Sequence, residues 1–412
     1  MAPALNLAAI HIDHGLHPRS RDWAEHCRDL CARLGVHYQE RRASIRMRPG
    51  ESLEAAARAE RYRLLAEYLA PGEQLATAQH RDDQAETLLL ALLRGSGVHG
   101  LAAMAPGAPL GAGTLIRPLL ELGRQELQEY ARTHGLAWVE DPSNQDLRRD
   151  RNRLRLEILP LLRERWPAAS VTLARAAEQA AEAAALIDGL ADERLPAIRG
   201  SRPGSLSVAR LAALDRMQAK ALIRRWLMSQ GFRPPSSARL QAVFSDLLPA
   251  RADAAPMVAW EGCELRRYRD DLFALDPLPP VPTGDRSWDG AGRLQLPSRL
   301  GWLSIAGVSP LSPGPSAGIA RPMTLSFDRH GLRCRRCNQP SRRLKQLFQA
   351  ADIPPWLRPY IPLLLDADGE LLAVAGVARC GAATGHKPPW AALSVCWSDH
   401  PWMRFGWLAD RL

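Results

Sequence analysis

Two periods alternate along the first 165 residues. Leu5 to Ile12 reads as a strand, Asp22 to Leu34 as a helix, and Ser52 to Leu69 as a longer helix. Leu75 to Ala78 is the next apolar run, short enough for a strand, and Leu136 to Val139 is another that ends in a polar loop. Strand and helix in alternation predict an α/β fold, a parallel sheet with helices on its faces. The pattern then changes. Residues 174–185 are alanine-rich, and Leu222, Ile223, Trp226 and Leu227 form one stripe of a further helix, so the middle of the chain reads as helical. Residues 276–322 are rich in Pro and Gly, with a strand-like piece from Gly301 to Ile305. The tail mixes strands (Pro362 to Leu365, Leu371 to Val377) with a basic helix, Ser341 to Ala350. The expected organisation is an α/β domain over 1–165, a helical domain over 166–280, and a linker with a small α+β domain over 281–412.

The junction after Leu75–Ala78 carries the densest chemistry. His80, Asp82, Asp83 and Glu86 fall in the first turns of a helix that follows a strand. One acid there only complements the helix dipole. Four such groups at the carboxyl end of a strand, where open α/β sheets bind ligands, point to a working site. HIDHGLHP at 11–18 offers His and carboxylate ligands for zinc or iron. No matching ligand set lies elsewhere, so His11, Asp13 and His14 read better as substrate-positioning groups. Glu54, Arg58, Arg61 and Tyr62 share a helix surface, which in isolation is a solvated face. Asp141 to Asn144 is a turn signal. Beyond it Arg151 and Arg155, four apart on a helix, either close on a phosphate or form a solvated basic face. Arg94 precedes closely spaced glycines that suit an anion or a helix C-cap.

The formal charge is +10, and only three of the 54 basic residues are lysines (Lys220, Lys345, Lys387). Arginine suits phosphate and base contacts, which allows a nucleic-acid partner, though genome composition explains the bias equally well. Seven scattered cysteines predict reduced thiols in a cytoplasmic protein, with no disulfide framework. Cys334 and Cys337 have the spacing of half a zinc knuckle or of a redox pair, and two ordinary thiols are the simpler reading. No apolar run is long enough to span a membrane, and no secretory signal opens the chain.

In their order and spacing these segments are similar to one family. HIDHGLHP (11–18), ESLEAAAR with ArgTyr (51–62), TAQHRDDQAET (77–87), LLRGSGVHGL (92–101), IRPLL (116–120), EDPSN (140–144) and RNRLR (151–155) resemble the N-terminal domain of the tRNA(Ile)-lysidine synthetases, which are N-type ATP pyrophosphatases. The likeness continues through SLSVARL (205–211), RADA (251–254), ELRRYR (264–269) and PSRRLKQLFQAADIPPWLR (340–358). It implies a Rossmann-like parallel sheet and a ligase that joins L-lysine to C2 of the wobble cytidine in the CAU anticodon of tRNA(Ile). ATP adenylates the C2 oxygen, pyrophosphate leaves, and lysine's amine displaces AMP. It also implies Asp82, Asp83 and Glu86 for lysine or magnesium, with Asp83 as a magnesium ligand, and His80 for the adenylate or a proton. Arg94 and Arg58 would serve phosphate or RNA, with His11, Asp13 and His14 beside ATP. Asp141, Asn144, Arg151, Asn152 and Arg155 would sit on the rim facing the anticodon, and Arg342, Arg343 and Lys345 would track the tRNA backbone. Association as a homodimer is left open.

The family opens with a strand, an SGGxDS loop and a helix, and that loop cradles the ATP phosphates at a helix N-terminus. No SGGxDS string occurs in the sequence, which starts at what reads as the second strand. The expectation is a sheet without its first strand, weak ATP binding by the chain as written, and a start assigned too far downstream. Two alternatives stand beside lysidine formation: a related tRNA cytidine thiolase, which the Cys334–Cys337 spacing keeps open, and an inactive tRNA-binding remnant.

Overall fold

The computed structural model describes residues 6–47, 52–251, 254–290, 292–306, 323–336, 340–380 and 394–408. It divides into two compact units, 1–187 and 188–412.

In the first unit, β1 (Ala8–Asp13), α1 (Ser20–Leu34) and β2 (His37–Arg42) form a β–α–β unit whose strands pair in parallel, Ala8 opposite His37. Helix α2 (Leu53–Tyr68) begins where Ser52 Oγ accepts the Ala55 N–H at 3.2 Å. Next come β3 (Gln74–Ala76), α3 (Arg81–Leu93), α4 (Val98–Leu101), β4 (Gly107–Leu110), β5 (Gly113–Ile116) and α5 (Arg124–Thr133). Their sheet runs β3-β5-β4, with β3 and β5 parallel and β4 antiparallel to β5. The sheet is therefore mixed at its hairpin. Gly111 makes that turn at φ +57°, where a Cβ would collide with the Ala66 carbonyl. Leu136–Val139, expected as a strand, forms none. Leu136 and Trp138 are about half exposed, so the run's apolar side chains are not buried as those of a sheet-core strand would be. Helix α6 (Asp150–Arg153) passes through a π-turn into α7 (Leu159–Arg165), and α8 (Ala169–Arg194) follows.

The second unit is less helical than its sequence pattern suggests. β6 (Leu206–Ser207), α9 (Val208–Ala212), α10 (Arg216–Ser229), α11 (Ser237–Ala242), β7 (Met257–Trp260), β8 (Cys263–Tyr268) and β9 (Asp271–Leu275) include a four-stranded antiparallel sheet, β6-β9-β8-β7. The expected stripe on α10 is real: Leu222, Ile223, Trp226 and Leu227 are all buried against this sheet's core. Then come β10 (Arg286–Trp288), β11 (Arg293–Gln295), β12 (Trp302–Ala306), β13 (Met323–Ser326), β14 (Arg333–Cys334), β15 (Arg342–Arg343), α12 (Leu344–Ala350), β16 (Leu363–Leu365), β17 (Leu371–Val374), β18 (Ala378–Arg379) and β19 (Ser394–Ser398). They build a five-stranded sheet, β10-β13-β16-β17-β18, and a three-stranded one, β11-β12-β19. The core is aromatic. Phe273 packs against Phe405 and Trp407 at ring separations of 5.3 and 4.6 Å, and Trp397 donates its indole N–H to the Leu300 carbonyl at 2.6 Å. Cys334 is bonded to Cys380 (Cα–Cα 5.1 Å), which corrects the expectation that every cysteine is a free thiol. The spacing of Cys334 to Cys337 gave no hint of it, because the partner lies 46 residues on; Cys337 is outside the described residues. No helix among the described residues is long and apolar enough to cross a membrane.

Candidate active site

Strand β3 delivers the chain to α3 through Thr77 to His80, and the first turn of α3 is set by its own acids. His80 is the N-cap: its imidazole accepts the Asp83 N–H at 3.4 Å, and Asp83 Oδ2 accepts the His80 N–H at 3.0 Å. Asp82, Asp83 and Glu86 are all buried, Glu86 completely. Buried carboxylates demand partners, and residues far along the chain supply them. Arg151 Nε donates to Glu86 at 2.7 Å and its Nη2 to Asp83 at 3.2 Å. Arg155 Nε donates to the other Glu86 oxygen at 2.6 Å, and its Nη2 to Asp83 at 2.9 Å. Burial alone would lower the Arg155 pKa, but its hydrogen bond to Glu86 and the charges of Glu86 and Asp83 raise it. The i,i+4 spacing of Arg151 and Arg155 thus closes on two carboxylates and leaves no open phosphate cradle.

Asp82 faces a second set. It accepts the Arg124 N–H at 2.8 Å, the Ser170 hydroxyl at 2.8 Å and the Arg163 guanidinium. Burial pushes this carboxyl up, yet those donors and the charges of Arg163 and His80 outweigh it, so its pKa lies below the usual carboxylate value. The contribution is therefore present above the unfolded-state value of about 3.9 and is lost as pH falls through the lower folded value. Unfolding of wild type and Asp82→Asn, followed by urea between about pH 6 and pH 3, is expected to show a steeper acid loss for the wild type. Parallel acid limbs would refute the assignment. Sequence reasoning missed Arg163 and Ser170, since no local periodicity ties them to a residue 81 or 88 positions earlier.

A second cluster joins β1 to α2. Asp13 Oδ1 accepts the Gly15 N–H at 2.8 Å, shaping the turn in which His14 sits. His14 Nε2 accepts from Arg61 Nε at 2.9 Å, while His14 Nδ1 is buried without a partner. Burial, then the Arg61 charge, lowers the His14 pKa, so the ring is held neutral. Arg58 lies over the Tyr62 ring, 5.0 Å from its centroid. These guanidiniums and the orphaned ring nitrogen fit an anionic, hydrogen-bonding ligand such as a nucleotide. Arg61 was read only as helix surface; its reach to His14, 47 residues earlier, is a tertiary fact. His11 lies on β1 with its strand neighbours.

Other expected residues are not gathered here. Arg94 is exposed at the C-cap of α3, the opposite end from the acids, roughly 18 Å away at 1.5 Å per residue. Asp141 caps the turn 142–145 by accepting the Ser143 N–H at 2.8 Å, and Asn144 is exposed within it. Asn152, expected on the rim, is instead buried, and its amide donates to the carbonyls of Ser143 and Asp146 at 2.8 and 3.0 Å. It pins that turn to α6. Asp83 does not fit a magnesium ligand in this arrangement, because both its oxygens already take guanidinium or backbone donors. Among the described residues no group of three or more His, Cys, Asp or Glu is placed to hold a metal ion. Arg342, Arg343 and Lys345 are exposed on β15 and the start of α12.

Comparison with known proteins gives these sites a setting. Residues 1–162 match the PP-loop domain model, 206–273 the TilS substrate binding domain and 323–397 the TilS substrate C-terminal domain. A tRNA(Ile)-lysidine synthase of Alkalilimnicola ehrlichii is 45% identical over 383 residues, 91% of this chain and 84% of that protein. Those of Methylococcus capsulatus and Coxiella burnetii are 40% and 37% identical, over 96% and 93% of this chain and 90% and 85% of theirs. The chain belongs to the tRNA(Ile)-lysidine synthase family.

Proposed function

We propose that this chain forms lysidine: it uses ATP to join L-lysine to C2 of the wobble cytidine in the CAU anticodon of tRNA(Ile). The C2 oxygen attacks the α-phosphorus and pyrophosphate leaves; lysine's amine then attacks C2, and AMP departs with that oxygen. The exocyclic oxygen on C2 is a poor leaving group, and adenylation makes it a good one. The observation that carries the reading is the buried Asp83–Glu86–Arg151–Arg155 network in a chain 45% identical to a lysidine synthase.

The network is neutral, two carboxylates against two guanidiniums. Lysine brings both charges. Its ammonium can take the place of Arg151, the more exposed arginine of the two, against Asp83 and Glu86. The displaced guanidinium is then free for lysine's carboxylate or a phosphate. His80 holds Asp83 through the cap, and its positioning role follows from that bond; serving as a base would require it to break the cap. ATP lies with His14, Arg58 and Arg61, carrying its magnesium on ligands other than Asp83. Arg342, Arg343 and Lys345 contact RNA phosphates.

Incubation with ATP, labelled lysine and a CAU-bearing tRNA(Ile) transcript is expected to label the RNA and release AMP in equal amount. A transcript with uridine at the wobble position should take no label. Equal labelling of both, or RNA binding without AMP release, would overturn the proposal, and incorporation of sulfur would mark a thiolase.

A further inference from the structure

The second unit holds a pocket of about 820 Å3 that the reaction does not use. Five cationic side chains line it: Arg329, Arg333, Arg343, Lys345 and Arg358. Among the described residues none of the five forms an ion pair with a carboxylate. Asp328 is the one acid on the wall, and its carboxylate already accepts the His330 N–H at 3.0 Å. The floor is apolar, with Phe348 and Leu344 buried beneath the charges.

Two of the cations are half-buried. Arg358 is anchored by Nε and Nη2 to the Ile353 carbonyl at 3.0 and 2.9 Å. Burial and then the facing charge of Arg358 lower the Arg329 pKa, against the raising charge of neighbouring Asp328, and burial lowers that of Arg358. Arg333 is anchored by Nε and Nη2 to Ser341 at 3.1 Å. Five cations gathered around the single carboxylate of Asp328, with Arg358 and Arg333 fixed by carbonyls, leave a net positive charge that a further anion would offset. A fully ionised phosphomonoester supplies up to two charges and three free oxygens, whereas an internal phosphodiester supplies one charge. The site is also concave. A duplex backbone presents a convex ridge, but a chain end can enter.

We propose that this pocket receives the 5′-terminal phosphate of the RNA substrate. The assignment rests on the reading that the substrate is tRNA, and it adds a point of contact remote in sequence from the acids of α3. The recognising chemistry is a phosphomonoester dianion flanked by one or two phosphodiesters. Phe348 supports the walls from below; being buried, it offers no face for a base to stack on.

The test measures the Kd of the full chain for one tRNA(Ile) transcript carrying either a 5′-monophosphate or a 5′-hydroxyl. About tenfold tighter binding of the phosphorylated form is expected. Arg329→Gln and, separately, Arg329→Ala should erase that difference and leave binding of the 5′-hydroxyl form within about twofold of wild type. Thermal melting of each variant confirms that it is folded, and the anchored Arg358 is left intact for that reason. Equal affinity of wild type for the two RNA ends overturns the proposal, as does undiminished discrimination by both folded variants. A 5′-phosphorylated dinucleotide that binds as tightly as phosphorylated tRNA would also overturn it, assigning the pocket to a small phosphomonoester. Lysine transfer is scored separately. Loss of transfer with discrimination kept defeats the ligase reading alone, and transfer without discrimination defeats this inference alone.

Discussion

Glu86→Ala is expected to destabilise the N-terminal unit by about 3 kcal/mol or more, at the low end of the ~3–5 kcal/mol typical for breaking a buried ion pair from one side. Glu86 is fully buried, and its two oxygens accept three hydrogen bonds from Arg151 and Arg155 at 2.6 to 2.9 Å. Alanine would leave two guanidiniums, 28% and 20% exposed, facing the single charge of Asp83. It would also open a hole between α3 and the segment that carries Arg151 and Arg155. Water reaching the partly exposed arginines limits the loss, which sets the lower end of the range. Glu86→Gln keeps the shape and one acceptor oxygen, so its cost should be the smaller, roughly 1–3 kcal/mol for a hydrogen bond that loses its charge. Urea unfolding followed by a probe in residues 1–187 reads both. A value for Glu86→Ala within about 1 kcal/mol of wild type would mean that the arginines do not depend on this carboxylate.

The parts of the molecule that were legible in sequence are those whose cause is local. Helix α3 announced itself by its first-turn acids and by the apolar run that precedes it, and both are properties of neighbouring residues. The spacing of Arg151 and Arg155 correctly placed them on one face, but what that face meets lies 65 to 72 residues earlier and no local pattern encodes it. Leu136–Val139 shows the converse error. An apolar run of strand length becomes a strand only where it is paired, and here the run stays unpaired with Leu136 and Trp138 half exposed. The sheet within the middle module was legible and missed. CELRRY and DLFAL are separated by just Arg269 and Asp270, a two-residue hairpin spacing, and Cys263 and Leu265 alternate inward on β8 as a half-buried strand requires. The pairing of Cys334 with Cys380 was illegible, since spacing reports only on cysteines close in sequence.

Asp83→Asn is expected to lower kcat/KM for lysine by about tenfold to a hundredfold, the worth of one charge-assisted hydrogen bond of roughly 1.5–3 kcal/mol. The direction follows from charge balance. Asp83 and Glu86 together offset Arg151 and Arg155, and an asparagine in place of Asp83 would leave the network one positive charge in excess. An ammonium entering that space then meets net repulsion, where in the wild type it exchanges one cation for another. The fold should tolerate the change better than it tolerates loss of Glu86. The asparagine carbonyl can still accept the His80 N–H that Asp83 accepts at 3.0 Å, so the cap of α3 is kept. The effect should appear in KM for lysine, with AMP formation in the adenylation half-reaction nearly unchanged. A fall in adenylation with an unaltered KM for lysine would move Asp83 from the amino acid to the nucleotide, and an unchanged kcat/KM would remove it from the site.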